Sequence, residues 1–219
     1  MPKAAVIHEM GGPDVFRYED VAVGDPGPGE VRIKHTAIGV NYADTYHRGG
    51  VSHPWPVGEL PVIVGFEATG EVLAAGPGVE GFAVGDQVVY GLPPLGAYAQ
   101  ERTYPVSTPN LIPDGIDPVS LAGIFMKGLT AYYLLHRTYA VKPGDWVLIH
   151  AAAGGMGTVL VPWAKHLGAN VIGTVGSPEK AKIAAALGCD NVVNYSTEDF
   201  AQRCRDLTDG VGVHVVYES

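Results

Sequence analysis

WVLIHAAAGGMG, residues 146–157, carries an apolar run straight into a cluster of glycines. Set against the spacing G-x-G-x-x-G, its key positions are Ala152, Gly154 and Gly157, so alanine stands at the first glycine. That spacing alone is a weak signal, and the context gives it weight. A strand precedes it, and GMGTVLVPWAKHLG (155–168) follows as a helix. In that setting Gly154 lets backbone approach a pyrophosphate and Gly157 lets helix and strand pack closely. The helix start supplies N–H groups and a partial positive charge. Residues 150–157 read as a dinucleotide-binding turn, with a purely structural glycine turn as the alternative.

Working outward, the same rhythm repeats. NVIGTV (170–175) leads to a helix over SPEKAKIAAALG (177–188). NVVNY (191–195) leads to a helix over TEDFAQRCRDLTDG (197–210), and VGVHVVY (211–217) is a fourth run. Strand alternating with helix predicts right-handed crossovers and a parallel sheet. Ser177 and Pro178 suit an N-cap and first helical position, and Gly168 and Gly188 suit helix ends. KGLTAYYLLHRTY (127–139) reads as a helix bridging two halves.

Before about residue 125 the pattern is different. Gly and Pro punctuate it at DPGPGE (25–30), GPGVEG (76–81) and YGLPPLG (90–96). Short alternating runs lie between, VRIKHT (31–36), EVLAA (71–75) and DQVVYG (86–91). This half reads as mainly β. The domain expectation is thus 1–125 and 126–219.

The totals exclude several classes. A 219-residue chain with 47% hydrophobic and 17% charged residues packs as a globular protein. Its net charge of −9 argues against nucleic acid as a partner. Cys189 and Cys204 form no C-x-x-C pair, so neither a disulfide framework nor a cysteine-rich zinc site is expected. The N-terminus lacks the apolar core of a signal peptide, and no apolar run is read as reaching the ~18 residues of a membrane span. A cytoplasmic protein is the default expectation.

NAD-binding turns place an acid on the adenosine ribose at the end of the second strand. Here that position is Gly176, followed by Ser177, with no carboxylate to repel a 2′-phosphate. Lys180 lies one helical turn on, and Tyr195 closes the third strand. These residues suit the extra phosphate of NADPH, although Lys180 also reads as a solvated helix lysine.

With these segments in hand, the chain resembles the zeta-crystallin-like quinone oxidoreductases of the medium-chain dehydrogenase/reductase superfamily. GEVRIKHTAIGVNYADTYHRGG, ELPVIVGFEATGEV, VGDQVVY, KGLTAYYLL, GDWVLIHAAAGGMG and NVVNY look like family segments in family order. The resemblance implies a GroES-like mainly-β domain followed by a Rossmann domain, NADPH as cofactor, and a quinone or enone as small-molecule acceptor. Pro162 departs from the family, which usually has glutamine there, and predicts a kink in the helix over 155–167.

In the zinc alcohol dehydrogenases of the superfamily, a cysteine and a histidine stand where this chain has Asn41 (in GVN) and Phe66 (in GFE). Neither replaces a thiolate or imidazole on zinc. The eight histidines, His35, His47 and His53 among them, are scattered, and no Cys lies in 91–104. No metal site is expected. Hydride transfer to an electron-poor acceptor needs no Lewis acid, only positioning and at most one hydrogen-bond donor.

By resemblance, Asn41 and Tyr46 sit where the family holds nicotinamide ribose and substrate. Tyr46 is the candidate O–H donor to a developing oxyanion, or else an aromatic of the cleft. Asp44 reads as a structural hydrogen-bonder. Thr130 resembles the residue beside nicotinamide and diphosphate, and Lys127 is a phosphate partner or a solvated lysine. The expected cofactor set is Asn41, Lys127, Thr130, Ala152, Gly154, Gly155, Met156, Gly157, Gly176, Ser177, Lys180 and Tyr195.

The leading expectation is an NADPH-dependent, zinc-independent quinone reductase. The alternatives are a 2-alkenal or enone reductase, and a non-catalytic crystallin-like or regulatory NADPH-binding protein. The sequence stops just after the fourth strand, where the family continues. That suggests either a fragment or isoform or a chain whose exposed last strand is covered by something else; the expectation is weakened cofactor binding, little turnover and no family dimer elements.

Overall fold

The computed structural model of the chain describes residues 1–52 and 55–218. His53 lies outside the described residues. The chain divides into two compact units, Met1–Met126 and Lys127–Ser219.

Unit 1 holds two antiparallel sheets. Strands β1 (Lys3–Ile7) and β2 (Phe16–Asp20) pair with each other; β3 (Glu30–Gly39) leads into helix α1 (Tyr42–Arg48). Then follow β4 (Val62–Ile63), β5 (Glu67–Ala75), β6 (Gln87–Tyr90), β7 (Glu101–Pro105) and β8 (Asn110–Leu111). The sheet orders are β2-β1-β4 and β7-β3-β5-β6-β8. The alternation in VRIKHT turns Val31 and Ile33 into a core with Ala68, Val72, Val88, Tyr90 and Tyr104.

That core holds a polar chain. Tyr90 and Tyr104 stack with centroids 4.1 Å apart, and the Arg102 guanidinium lies 4.6 Å over the Tyr104 ring. The His35 Nδ1–H donates to the Ala99 carbonyl at 2.5 Å, so its Nε2 accepts the Tyr90 hydroxyl at 2.7 Å. A carbonyl only accepts, which fixes this tautomer. Burial pushes the His35 pKa down to about 4.

Helix α2 runs Pro118–Tyr133 and passes into a π-helical turn, Leu134–Thr138. It starts nine residues before the expected 127, because Pro118 is well suited to open a helix and Asp117 accepts the Ser120 N–H at 2.8 Å. The stretch Pro118–Thr138 also corrects the reading that no run is long and apolar enough for a membrane span. By length and composition alone it is, with mean hydropathy 1.2.

Unit 2 is a parallel sheet ordered β11-β10-β9-β12. Its elements are β9 (Trp146–Ile149), α3 (Gly157–His166), β10 (Asn170–Val175), α4 (Pro178–Leu187), β11 (Asn191–Asn194), α5 (Phe200–Leu207) and β12 (Val215–Tyr217). Leu160, Val161 and Ala164 of α3 bury against Val147, Ile149, Val171 and Val175 of the sheet. Each large aliphatic side chain so buried contributes about 1.5–3 kcal/mol.

Several boundaries differ from expectation. The third strand stops at Asn194, where Ser196 and Thr197 bond back onto Asn194 and turn the chain. The fourth spans only Val215–Tyr217. Helix α5 starts at Phe200, because Asp199 accepts the Ala201 and Gln202 amides and fixes the cap there. Helix α3 begins at Gly157 and continues through Pro162 to His166.

Candidate functional site

Each unit carries a cluster of the expected residues. In unit 1, β3 ends at Gly39 and Asn41 becomes the N-cap of α1. Asn41 and Asp44 form a capping box, the Asp44 Oδ2 accepting the Asn41 backbone N–H at 2.9 Å. The same oxygen accepts the Tyr98 hydroxyl at 2.8 Å, and Asp44 is buried. Burial and this carboxylate hold the Tyr98 pKa well above the ordinary tyrosine value. Asp44 therefore builds the turn.

Tyr46 lies one helical turn on and is 41% exposed, its ring edge-on to Tyr42 with centroids 5.4 Å apart. Phe66 is buried in an aromatic cluster, 4.8 Å from Trp55 and 6.1 Å from His47. Among the described residues, no three His, Cys, Asp or Glu side chains gather as metal ligands.

Sequence reasoning missed Glu67, the residue after Phe66. It is fully buried; its Oε2 accepts the Asn41 side-chain N–H at 2.7 Å and its Oε1 accepts the Met126 backbone N–H at 2.7 Å. Gly39 makes room for it, because a Cβ there would strike Glu67 Oε2 and the Ala122 carbonyl. The available signal was a Glu and a Gly at positions that strand alternation would otherwise give to ordinary side chains.

In unit 2, β9 delivers the glycine turn. Ala151 adopts a left-handed φ of 48° and Gly154 N–H donates to its carbonyl at 2.7 Å. The amides of Gly155, Met156 and Gly157, at the mouth of α3, have no hydrogen-bond partner among the described residues. A Cβ on Gly157 would run into the Ala152 backbone, so this glycine is the one that closes the turn. A Cβ on Gly154 would meet only the Ala151 carbonyl, at 3.0 Å, and the Ala151 methyl, at 3.7 Å. The stem of Lys127 lies over Gly155, with Cε 3.1 Å from where a Cβ would sit. Thr130 is one helical turn further along α2.

Alanine at position 152 has a structural counterpart that sequence reasoning also missed. A Cβ on Gly173 of β10 would lie 2.7 Å from the Ala152 methyl and 2.6 Å from Cys189 Sγ. The missing side chain of Gly173 makes space for the methyl that replaces a glycine. A glycine inside a buried strand was the signal.

At the end of β10, the Tyr195 hydroxyl reaches to 2.5 Å from where a Cβ on Gly176 would sit, and Ser196 Oγ donates to the Gly176 carbonyl at 3.1 Å. The Ser177 hydroxyl caps α4, accepting the Lys180 N–H at 3.3 Å. The Lys180 side chain is exposed on the same first turn. A carboxylate does stand nearby: the Ser177 hydroxyl holds the exposed Glu179 below the usual range.

Comparison with known proteins bears on both clusters. Residues 27–137 match the alcohol dehydrogenase GroES-like domain, and residues 155–219 match the family described as zinc-binding dehydrogenase. The chain is 60% identical over 221 residues to a 2-haloacrylate reductase of Burkholderia sp, covering 100% of this chain and 66% of that protein. It is 45% identical over 219 residues to a quinone oxidoreductase of Pseudomonas aeruginosa, again covering 100% and 66%. The chain belongs to the zeta-crystallin-like quinone oxidoreductase family. A solved structure of this family, the Escherichia coli quinone oxidoreductase complexed with NADPH, superposes with a TM-score of 0.94 at 41% identity, over 99% of this chain and 66% of that one.

Within this quinone oxidoreductase family, unit 1 is the GroES-like domain and unit 2 the Rossmann domain of the medium-chain dehydrogenase/reductase superfamily. The chain spans 66% of the length of the two curated relatives named here.

Proposed function

We propose that this chain binds NADPH and serves as a zinc-independent reductase for an electron-poor acceptor of the quinone or enone class. The observation that carries the reading is the turn at 154–157, where three amides at a helix mouth lie beside the Lys127 stem. Amides so arranged suit a diphosphate, since the helix end adds its partial positive charge.

Gly154, Gly155, Met156 and Gly157 are assigned the diphosphate, with Ala152 forming the floor of the turn. Lys127 and Thr130 are assigned its nicotinamide side. Gly176, Ser177, Lys180 and Tyr195 are assigned the adenosine 2′-phosphate. Asn41 and Tyr46 are assigned the nicotinamide ribose and the acceptor, the Tyr46 O–H donating to oxygen charge as it develops. Bound there, NADPH supplies a hydride. Asn41 and Phe66 stand where zinc ligands would be needed, which is why no metal step is assigned.

The 60% identical 2-haloacrylate reductase supports a second acceptor, an activated alkene rather than a quinone. Steady-state assays with NADPH and either 1,2-naphthoquinone or 2-chloroacrylate separate the two. Failure of both acceptors, with NADPH still bound, leaves the non-catalytic reading.

For the cofactor, Lys180→Ala should raise the NADPH Kd about tenfold, roughly 1.4 kcal/mol, and leave NADH unchanged. Equal losses for both nucleotides would remove the 2′-phosphate assignment.

A further inference from the structure

Glu67 has no role in the reading above, yet it is wholly buried between two site elements. One of its oxygens accepts the Asn41 side-chain N–H and the other the Met126 backbone N–H, both at 2.7 Å. A carboxylate offers acceptors only. The Asn41 amide therefore turns its nitrogen toward Glu67. The other carboxylate oxygen holds the backbone of α2 one residue before Lys127 and four before Thr130.

We infer that Glu67 is a positioning residue, whose carboxylate locks the Asn41 amide in a single orientation and ties it to α2. The inference deepens the proposed function and rests on it for the identity of the ligand, NADPH. Asn41 touches the ligand in that reading; Glu67 acts through Asn41.

The test exchanges donors for acceptors. Glu67→Gln keeps the shape but puts an NH2 where an oxygen was. With Asn41 held as it is, that NH2 faces a donor, either Asn41 or Met126; a match returns only if the Asn41 amide turns over, which undoes the orientation at issue. The NADPH Kd should rise roughly tenfold. The double variant Glu67→Gln with Asn41→Asp restores the match. The introduced glutamine then accepts from the Met126 N–H and donates to the introduced aspartate, and aspartate is a favoured N-cap. The double variant should bind NADPH more tightly than Glu67→Gln, and more weakly than the parent because Asn41 itself touches the ligand. A buried hydrogen bond that is only structural would lower the melting temperature in the single variant without rescue of affinity by Asn41→Asp.

A cofactor-free readout keeps the two claims apart. In the parent protein, the Asn41 side-chain NH2 should give a slowly exchanging NMR signal that shifts in Glu67→Gln. If NADPH does not bind the parent, the functional reading fails and this signal still judges Glu67. The inference is overturned by a Glu67→Gln protein with parental Kd and an unmoved Asn41 signal. It is equally overturned by a folded double variant that binds no better than Glu67→Gln. Should Glu67→Gln not fold, the double variant decides: recovery of a folded protein by Asn41→Asp supports the inference and failure to recover it ends it.

Discussion

Around Asn41, unit 1 sets its geometry with side chains that are present: Asp44, Glu67 and Tyr98 each spend their polar atoms on the turn or its neighbours. Around Gly154, unit 2 sets its geometry with side chains that are absent. Gly157 clears the Ala152 backbone, Gly173 clears the Ala152 methyl, and the amides of 155–157 have no hydrogen-bond partner among the described residues. The first kind of site depends on complementary donors and acceptors, so it tolerates paired exchanges. The second depends on close backbone approach, so it tolerates no added carbon.

The harshest way to break this contrast is Gly157→Val. Its Cβ lands on backbone that has no other place to go. The expected result is loss of about 3 kcal/mol of stability in urea denaturation and loss of NADPH binding in titration. Parental stability would mean that the turn yields, and the contrast would fail on its stricter side.

The next test concerns the side-chain-built unit. His35 is neutral between Ala99 and Tyr90, with its pKa pushed from 6.5 to about 4 by burial. The unfolded chain takes up this proton near pH 6.5 and the folded one does not. The contribution is therefore complete above that pH and disappears as pH falls toward 4. The total is roughly 3–4 kcal/mol. His35→Gln should flatten the stability profile over that window, measured by denaturant midpoints at several pH values. An unchanged slope would assign the acid sensitivity elsewhere.

The mildest test sharpens the role of absence. Gly173→Ala should cost about 1–2 kcal/mol, because its methyl meets the Ala152 methyl and Cys189 Sγ. In an Ala152→Gly background the cost should be about halved, read as the coupling term of a double-mutant cycle. Strict additivity would show that the two positions do not share the space.

These contrasts explain what the sequence could disclose. The glycine turn was legible because a strand, a fixed spacing and a helix are all local, and residues 146–166 spell them in order. The caps Ser177 and Gly188 were legible for the same reason. Glu67 was hidden because its partners lie 26 and 59 positions away in the chain, and no local period marks a carboxylate that bonds to both. The start of α2 was missed because VSLAGIF mixes β-branched and small residues that fit strand and helix alike. Glu179 was written in SPEK, but its pairing with the Ser177 hydroxyl shows only when the cap is folded.

Strand β9 has a neighbour on each side, β10 and β12, and its Val147, Leu148 and Ile149 are buried. Strands in that position open last, on the scale of global unfolding, while sheet margins fray sooner. The glycine turn hangs directly from its end, so its amides follow a strand paired on both sides. If the turn holds a diphosphate as proposed, its donors are already aimed, and little ordering entropy stands between encounter and capture.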